Sequence, residues 1–208
     1  MINRNHNLVA SLDLVDENKL LNIAKLIEDY VFAYKINWPT ILSCGKSIIS
    51  KLGKYGKVIC DLKIADVPNT VDLILRQIES ESPWGVIGHL FTGKDSVEAM
   101  TRRSGDIKVI GVVSMSNPGA SVYVNKNYVS LMEDARSSGC YGIVAPGNNY
   151  ELLRQISKNK GDLKIFSPGI GAQGGNIREA LLAGADYPII GRSLYGNDDP
   201  VGYLLNLQ

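Results

Sequence analysis

Hydrophobic residues along the chain fall into short runs separated by longer amphipathic stretches. The runs are Leu8–Leu12, Val31–Ile36, Val58–Leu62, Gly85–Leu90, Lys108–Val113, Cys140–Val144, Leu163–Phe166 and Tyr187–Ile190. Their starting points recur about every 26 residues, which is room for one strand, one helix and two turns. Most runs are rich in Val and Ile, and several are apolar on both faces, as parallel strands sandwiched between other layers must be. Between the first two runs, Leu20, Ile23, Ala24, Ile27 and Val31 repeat at helical spacing. Asp16 stands where it can cap that helix, and Glu17 suits its first turn. After the third run Val71, Ile74, Leu75 and Ile78 repeat the stripe, with Pro68 near the helix start, where a missing N–H costs little. Near the end, Ala180 to Ala183 lead into Gly184, a helix stop. The alternation implies right-handed βαβ units and a parallel sheet. Eight units in this length predict an α/β fold, a (β/α)8 or TIM barrel, as one domain over residues 1–208. A doubly wound open sheet is the competing architecture.

Composition narrows the function classes. Lys and Arg number 22 against 21 Asp and Glu, a net charge of +1, so no global field is available to hold a nucleic-acid backbone or an anionic membrane. No apolar run approaches the roughly 20 residues that span a bilayer, and the polar stretch Met1 to Asn7 lacks the apolar core of a signal peptide. Cys44, Cys60 and Cys140 are odd in number and widely spaced, unlike a disulfide framework or a zinc knuckle. A cytoplasmic setting is the expectation.

In a barrel of this kind, chemistry belongs at the C-terminal ends of the strands and in the loops that follow. Asp13 directly follows the first run, and Lys35 lies inside the apolar end of the second. The third continues as Val58-Ile59-Cys60-Asp61-Leu62-Lys63-Ile64-Ala65-Asp66. Strand alternation puts Ile59, Asp61 and Lys63 on one face and Val58, Cys60 and Leu62 on the other. The fully apolar set should face the helices, so Asp61 and Lys63 point into the barrel mouth. Taken alone, a buried Asp–Lys pair reads equally well as a structural ion pair. Asp13, Lys35 and Asp66 on neighbouring strand ends shift the balance toward a functional charge cluster.

Two further segments carry candidate chemistry. Ser167-Pro168-Gly169-Ile170-Gly171-Ala172-Gln173-Gly174-Gly175 follows the seventh run, and Ile190-Gly191-Arg192-Ser193 ends the eighth. Glycines let backbone N–H groups approach an anion, barrels often build phosphate sites from these two loops, and Arg192 offers a forked cation. The glycines from Gly169 to Gly175 also suit a mobile lid. Ser114-Met115-Ser116-Asn117-Pro118-Gly119-Ala120 follows the fifth run. Asn-Pro-Gly is turn chemistry, and Ser116 serves equally as a turn residue or a ligand hydroxyl.

Together these segments resemble the orotidine 5′-phosphate (OMP) decarboxylase family, over nearly the whole chain. Asp61-Leu62-Lys63-Ile64-Ala65-Asp66 matches its Asp-x-Lys-x-x-Asp signature, which a wider superfamily of sugar-phosphate barrels shares. Lys35, the Met115 to Gly119 loop, the Pro168 to Gly175 loop and Gly191-Arg192-Ser193 add specificity. The resemblance implies a homodimeric barrel that turns OMP into UMP and CO2 without metal or organic cofactor. It implies Lys63 as proton donor to C6 of the pyrimidine and Asp61 against the substrate carboxylate. Lys35 and Asp66 complete an alternating array, with Asp66 and Thr70 reaching the neighbouring subunit's site to contact ribose. Asp13 becomes a ribose ligand, Ser116 and Gln173 readers of the base, and Gly191 and Arg192 the phosphate holders, helped by Gln173.

Asn117, Val67 and Tyr34 depart from the residues usual in the family, each beside the expected site rather than in it. The nearest rival is a metal-dependent sugar-phosphate lyase of the same superfamily. Such enzymes carry a carboxylate near the position of Lys35, and a lysine repels a divalent cation. A barrel that binds phosphate without chemistry is the non-enzyme rival. His89 ends the fourth run and either lines the mouth or is a satisfied core residue. Trp38 and Trp84 are expected to pack, Lys94 and Asp95 to open an exposed helix, and His6 to lie in a loose N-terminal segment.

Overall fold

The computed structural model describes residues 7–207, so His6 lies outside the described residues. Eight parallel strands close on themselves in sequence order. They are β1 (Val9–Ser11), β2 (Ala33–Asn37), β3 (Lys57–Ile64), β4 (Gly85–His89), β5 (Lys108–Val112), β6 (Gly142–Val144), β7 (Lys164–Ser167) and β8 (Tyr187–Ile190). Closure is made by β1 against β8, Val9 opposite Ile189. The helices are α1 (Glu17–Ile27), α2 (Trp38–Cys44), α3 (Ile48–Leu52), α4 (Pro68–Glu79), α5 (Lys94–Arg103), α6 (Ala120–Tyr123), α7 (Tyr128–Ser137), α8 (Tyr150–Asn159), α9 (Ile177–Leu182), α10 (Arg192–Tyr195) and α11 (Pro200–Asn206). The barrel expected from the 26-residue spacing is the fold observed, and the open sheet is excluded by the β1–β8 pairing.

The local signals act where the sequence places them. Asp16 accepts the Lys19 N–H at 3.0 Å and caps α1. Pro68 opens α4, whose Val71, Leu75 and Ile78 are buried. Gly184 follows α9 with φ of 104°, a backbone that L side chains avoid. The helical stripe overreaches at one point: α1 ends at Ile27 and a 3-10 turn, Glu28–Tyr30, intervenes before Val31. Lys94 and Asp95 begin α5, both exposed.

Two apolar layers follow from strand alternation. Val9, Ala33, Ile59, Ile87, Ile110, Val112, Val144, Phe166 and Ile189 point inward and fill the barrel. Ala10, Tyr34, Ile36, Val58, Cys60, Leu62 and Val86 point outward and pack beneath the helices. Tyr34 belongs to that outer layer, where its hydroxyl donates to the Ala24 carbonyl at 2.7 Å. At the N-terminal end Trp84 meets Phe32 and Tyr141 edge to face, so aromatic rings pack the lower end of the barrel. Trp38 is half exposed, and its indole N–H donates to the Leu62 carbonyl at 2.7 Å.

Candidate active site

Alternation along β3 works as far as Asp61: Ile59 belongs to the inner layer, while Val58, Cys60 and Leu62 belong to the outer one. Beyond that the strand departs from regularity. Cys60 pairs with Val86 and Ile64 with Gly88, so β3 advances four residues while β4 advances two. The surplus forms a bulge, and Lys63 sits in it with φ of 44°. A non-glycine residue there costs about 1–2 kcal/mol. The bulge re-aims the side chain, and Lys63 Nζ reaches Asp61 Oδ1 on its own strand at 2.7 Å.

The result is a run of alternating charges. Asp13 Oδ1 lies 3.5 Å from Lys35 Nζ, Lys35 Nζ lies 3.0 Å from Asp61 Oδ2, and Asp61 Oδ1 holds Lys63. Ser11 Oγ donates to Asp13 at 3.0 Å. Lys35 and Asp61 are only 6% and 8% exposed, and such charges persist in the interior only when paired. Burial by itself would lower the Lys35 pKa, but the Asp61 and Asp13 carboxylates outweigh it and raise the value. Burial would likewise raise Asp61, but Lys35 and Lys63 outweigh it and hold the carboxyl below its ordinary range. Each buried partner therefore fixes the other in its charged form. Lys63 is the outermost member, its side chain 40% exposed.

These groups line one wall of a cavity of about 260 Å³ at the barrel mouth. Ile87, Val112, Val144 and Ile189 form its apolar floor, which strengthens electrostatic interactions above it. Gly191 and Arg192 line it at the end of β8, next to β1. A Cβ on Gly191 would stand 3.2 Å from Ser11 Cβ and 3.3 Å from its carbonyl oxygen, so a larger residue would need β1 to give by a few tenths of an ångström. Arg192 opens α10, is exposed, and makes no ion pair among the described residues. The loop after β7 folds back on itself, with Gly175 N–H donating to the Gly169 carbonyl at 3.0 Å. It delivers Gln173, whose Oε1 accepts from Ser116 Oγ at 2.9 Å. That bond joins the loops after β5 and β7 over the cavity.

Eight of the ten residues singled out in the sequence line this cavity: Asp13, Lys35, Asp61, Lys63, Ser116, Gln173, Gly191 and Arg192. Asp66 and Thr70 do not. Asp66 is exposed and its carboxylate accepts the Val67 N–H at 2.8 Å. Within the chain the charge run ends at Lys63. Sequence reading missed Tyr195, which also lines the cavity. It sits one helical turn beyond Gly191, its N–H bonded to the Gly191 carbonyl at 3.1 Å, and helical side chains lean back toward the N-terminus. That spacing was the available signal. Burial and then the Asp13 carboxylate raise the Tyr195 pKa, keeping it a phenol. His89 shares the inward face of β4 with Ile87, and its Nδ1 is buried without a partner among the described residues. Burial and then the Lys63 ammonium lower its pKa, so it stays neutral beside that cation.

A run of ammonium and carboxylate groups over an apolar floor, at the C-terminal mouth of a closed barrel, places the protein in the class of (β/α)8-barrel enzymes. More specifically, the chain belongs to the orotidine 5′-phosphate decarboxylase / HUMPS family, which it matches over residues 6–205. It is 46% identical over 194 residues to the orotidine 5′-phosphate decarboxylase of Thermoplasma acidophilum, covering 93% of this chain and 90% of that one. Against the Pyrococcus abyssi enzyme of the same name it is 43% identical, with 93% of each chain covered. Among solved structures, the orotidine 5′-monophosphate decarboxylase of Methanocaldococcus jannaschii complexed with the inhibitor BMP superposes with a TM-score of 0.91 at 35% identity, over 96% of this chain and 95% of that one. The enzyme from Pyrococcus horikoshii gives a TM-score of 0.90 at 38% identity, with 96% of both chains covered.

Proposed function

We infer that this protein converts OMP to UMP and CO2, the decarboxylation of pyrimidine biosynthesis, with Lys63 as proton donor. One observation carries the reading: the Lys63 ammonium, 2.7 Å from the buried Asp61, which Lys35 clamps from the other side at 3.0 Å. Breaking the C6–carboxylate bond leaves its electron pair in an sp2 orbital orthogonal to the ring π system. No resonance sink takes it, so the catalyst must supply on the order of 20 kcal/mol. A cation already fixed where the charge develops needs little reorganisation. It stabilises the carbanion as CO2 departs, then gives C6 its proton, and the neutral amine recovers one from water. Asp61 holds the Lys63 ammonium in place at 2.7 Å, and stands against the departing carboxylate.

The remaining roles follow the cavity wall. Asp13 takes a ribose hydroxyl, Ser116 and Gln173 read the base, and Gly191 and Arg192, with Gln173, hold the phosphate. The Gly169 to Gly175 loop serves as lid. Phosphate binding remote from C6 then orders the reacting end. We assign Asp66 and Thr70 to the partner's site in a homodimer. This is supported by Asp66 pointing away from its own cavity and by exposed Trp38, Leu42, Val67 and Leu73 on α2, α4 and the β3–α4 turn. The metal-dependent branch of the family is disfavoured because Lys35 occupies the space between Asp13 and Asp61 where a divalent ion would need both carboxylates. Three free cysteines support a reducing, cytoplasmic setting.

The test is direct. Purified protein should consume OMP, followed by its absorbance, with EDTA having no effect. Lys63→Ala should nearly abolish turnover while circular dichroism stays native. Unchanged OMP with the wild-type protein overturns the assignment, and substantial turnover by Lys63→Ala removes Lys63 from the donor role.

A further inference from the structure

We propose that Asn125 is a positioning residue for base recognition: its side-chain amide clamps Met115 and so sets Ser116 against Gln173. Asn125 lies ten residues beyond Met115, in the 3-10 turn Asn125–Asn127. Its Oδ1 accepts the Met115 N–H at 2.9 Å, and its Nδ2 donates to the Met115 carbonyl at 3.1 Å. One partner is a donor and the other an acceptor, so the amide orientation is fixed by its environment. Both backbone groups of Met115 are thereby held as in a strand pairing, although β5 has ended at Val112.

The clamp has a firm base. Val124, directly before Asn125, packs against the outer core, as does Tyr128. The loop it restrains has exposed Asn117, Pro118 and Gly119 at its tip. Its other link across the mouth is the next residue, Ser116, bonded to Gln173 Oε1 at 2.9 Å. A rigid path thus runs from the core through Val124, Asn125 and Met115 to the hydroxyl over the cavity. A hydroxyl fixed before the ligand arrives loses less freedom on binding. This inference rests on the reading of Ser116 and Gln173 as the groups that recognise the pyrimidine.

The experiment compares wild type, Asn125→Ala, Ser116→Ala and the double variant for UMP binding, ribose 5-phosphate binding and OMP turnover. With the clamp gone, Ser116 must be ordered by the ligand itself, so UMP binding should weaken by about tenfold in Asn125→Ala, and by no more than in Ser116→Ala. KM for OMP should rise by a similar factor, with kcat changed less, and ribose 5-phosphate affinity should stay within about twofold. The double variant should match Ser116→Ala alone, because the clamp acts only through that hydroxyl. Asn125→Asp keeps the acceptor for the Met115 N–H but sets a carboxylate oxygen against the Met115 carbonyl, so it should lose at least as much UMP affinity as Asn125→Ala, with thermal melting recorded for every variant. UMP affinity unchanged in Asn125→Ala, additive losses in the double variant, or equal losses of UMP and ribose 5-phosphate would each overturn the proposal. Wild-type OMP turnover separates the two inferences: if it is present, these outcomes sink the clamp alone.

Discussion

The Asp61 carboxylate is shared between two ammoniums, and the sharing is unequal: Oδ1 holds Lys63 at 2.7 Å toward the cavity, while Oδ2 holds Lys35 at 3.0 Å in the interior. Removing the charge affects both. Asp61→Asn should leave Lys35, 6% exposed, with Asp13 as its only carboxylate partner among the described residues, at 3.5 Å. Losing one member of a buried pair costs about 3–5 kcal/mol, and Asp13 should keep the loss at the low end. Turnover should fall by about 10²–10³-fold or more, the scale for losing a preorganised electrostatic group. Urea unfolding and OMP turnover on the same preparation measure the two effects.

The pH dependence of stability follows from the directions of the shifts. Asp61 titrates lower in the folded chain than when unfolded, so its contribution is present above about pH 4 and is lost as pH falls through the folded value. Lys35 titrates higher when folded, so its contribution is full below about pH 10.4 and disappears as pH rises through the folded value. His89 adds an earlier acid limb. Its folded pKa is depressed, so stability starts to fall as pH drops below the ordinary histidine value of about 6.5. Urea midpoints at pH 7.5 and 5 should therefore differ more for wild type than for His89→Asn, and an equal difference would remove His89 as the source.

Much of this was legible in the sequence, and the limits have physical causes. The spacing of Val/Ile runs gave the barrel because a closed parallel sheet needs one crossover per strand. The alternation around Asp61 gave the inward face because side-chain direction in a strand has period two. The bulge at Lys63 was not legible: no glycine marks it, and a lysine in a left-handed backbone is held there by the pairing of Ile64 with Gly88, not by its own preference. The Asn125–Met115 clamp was invisible for a different reason, since an amide meeting a backbone ten residues away leaves no periodic trace. Asp66 and Thr70 are conspicuous in the sequence yet do not line the cavity, because the turn after β3 carries both past the mouth.

The strain at Lys63 makes a prediction in which stability and activity move apart. Lys63→Gly and Lys63→Ala should both lose turnover, because both remove the ammonium. In most positions glycine is the less stable of the two, by up to about 1 kcal/mol. With φ of 44° the order should reverse or level, since alanine keeps the backbone cost of about 1–2 kcal/mol and glycine sheds it. Thermal melts of the two variants side by side check this, and alanine being clearly the more stable would show that the bulge relaxes when the lysine is gone.

Arg192 separates binding from chemistry. Its guanidinium is exposed and makes no ion pair among the described residues, so Arg192→Ala should leave folding stability within about 0.5 kcal/mol. A forked, charge-assisted contact with a phosphate contributes about 1.5–3 kcal/mol, so UMP binding should weaken by about 10- to 100-fold. Uridine, which has no phosphate, should bind the variant nearly as it binds wild type. The Lys63–Asp61 pair lies on β3, three strands round the barrel from β8, and single-turnover decarboxylation at saturating OMP should fall less than kcat/KM. Titration calorimetry with UMP and uridine decides the point, because equal losses for the two ligands would take Arg192 away from the phosphate and leave Gly191 and Gln173 as its remaining holders.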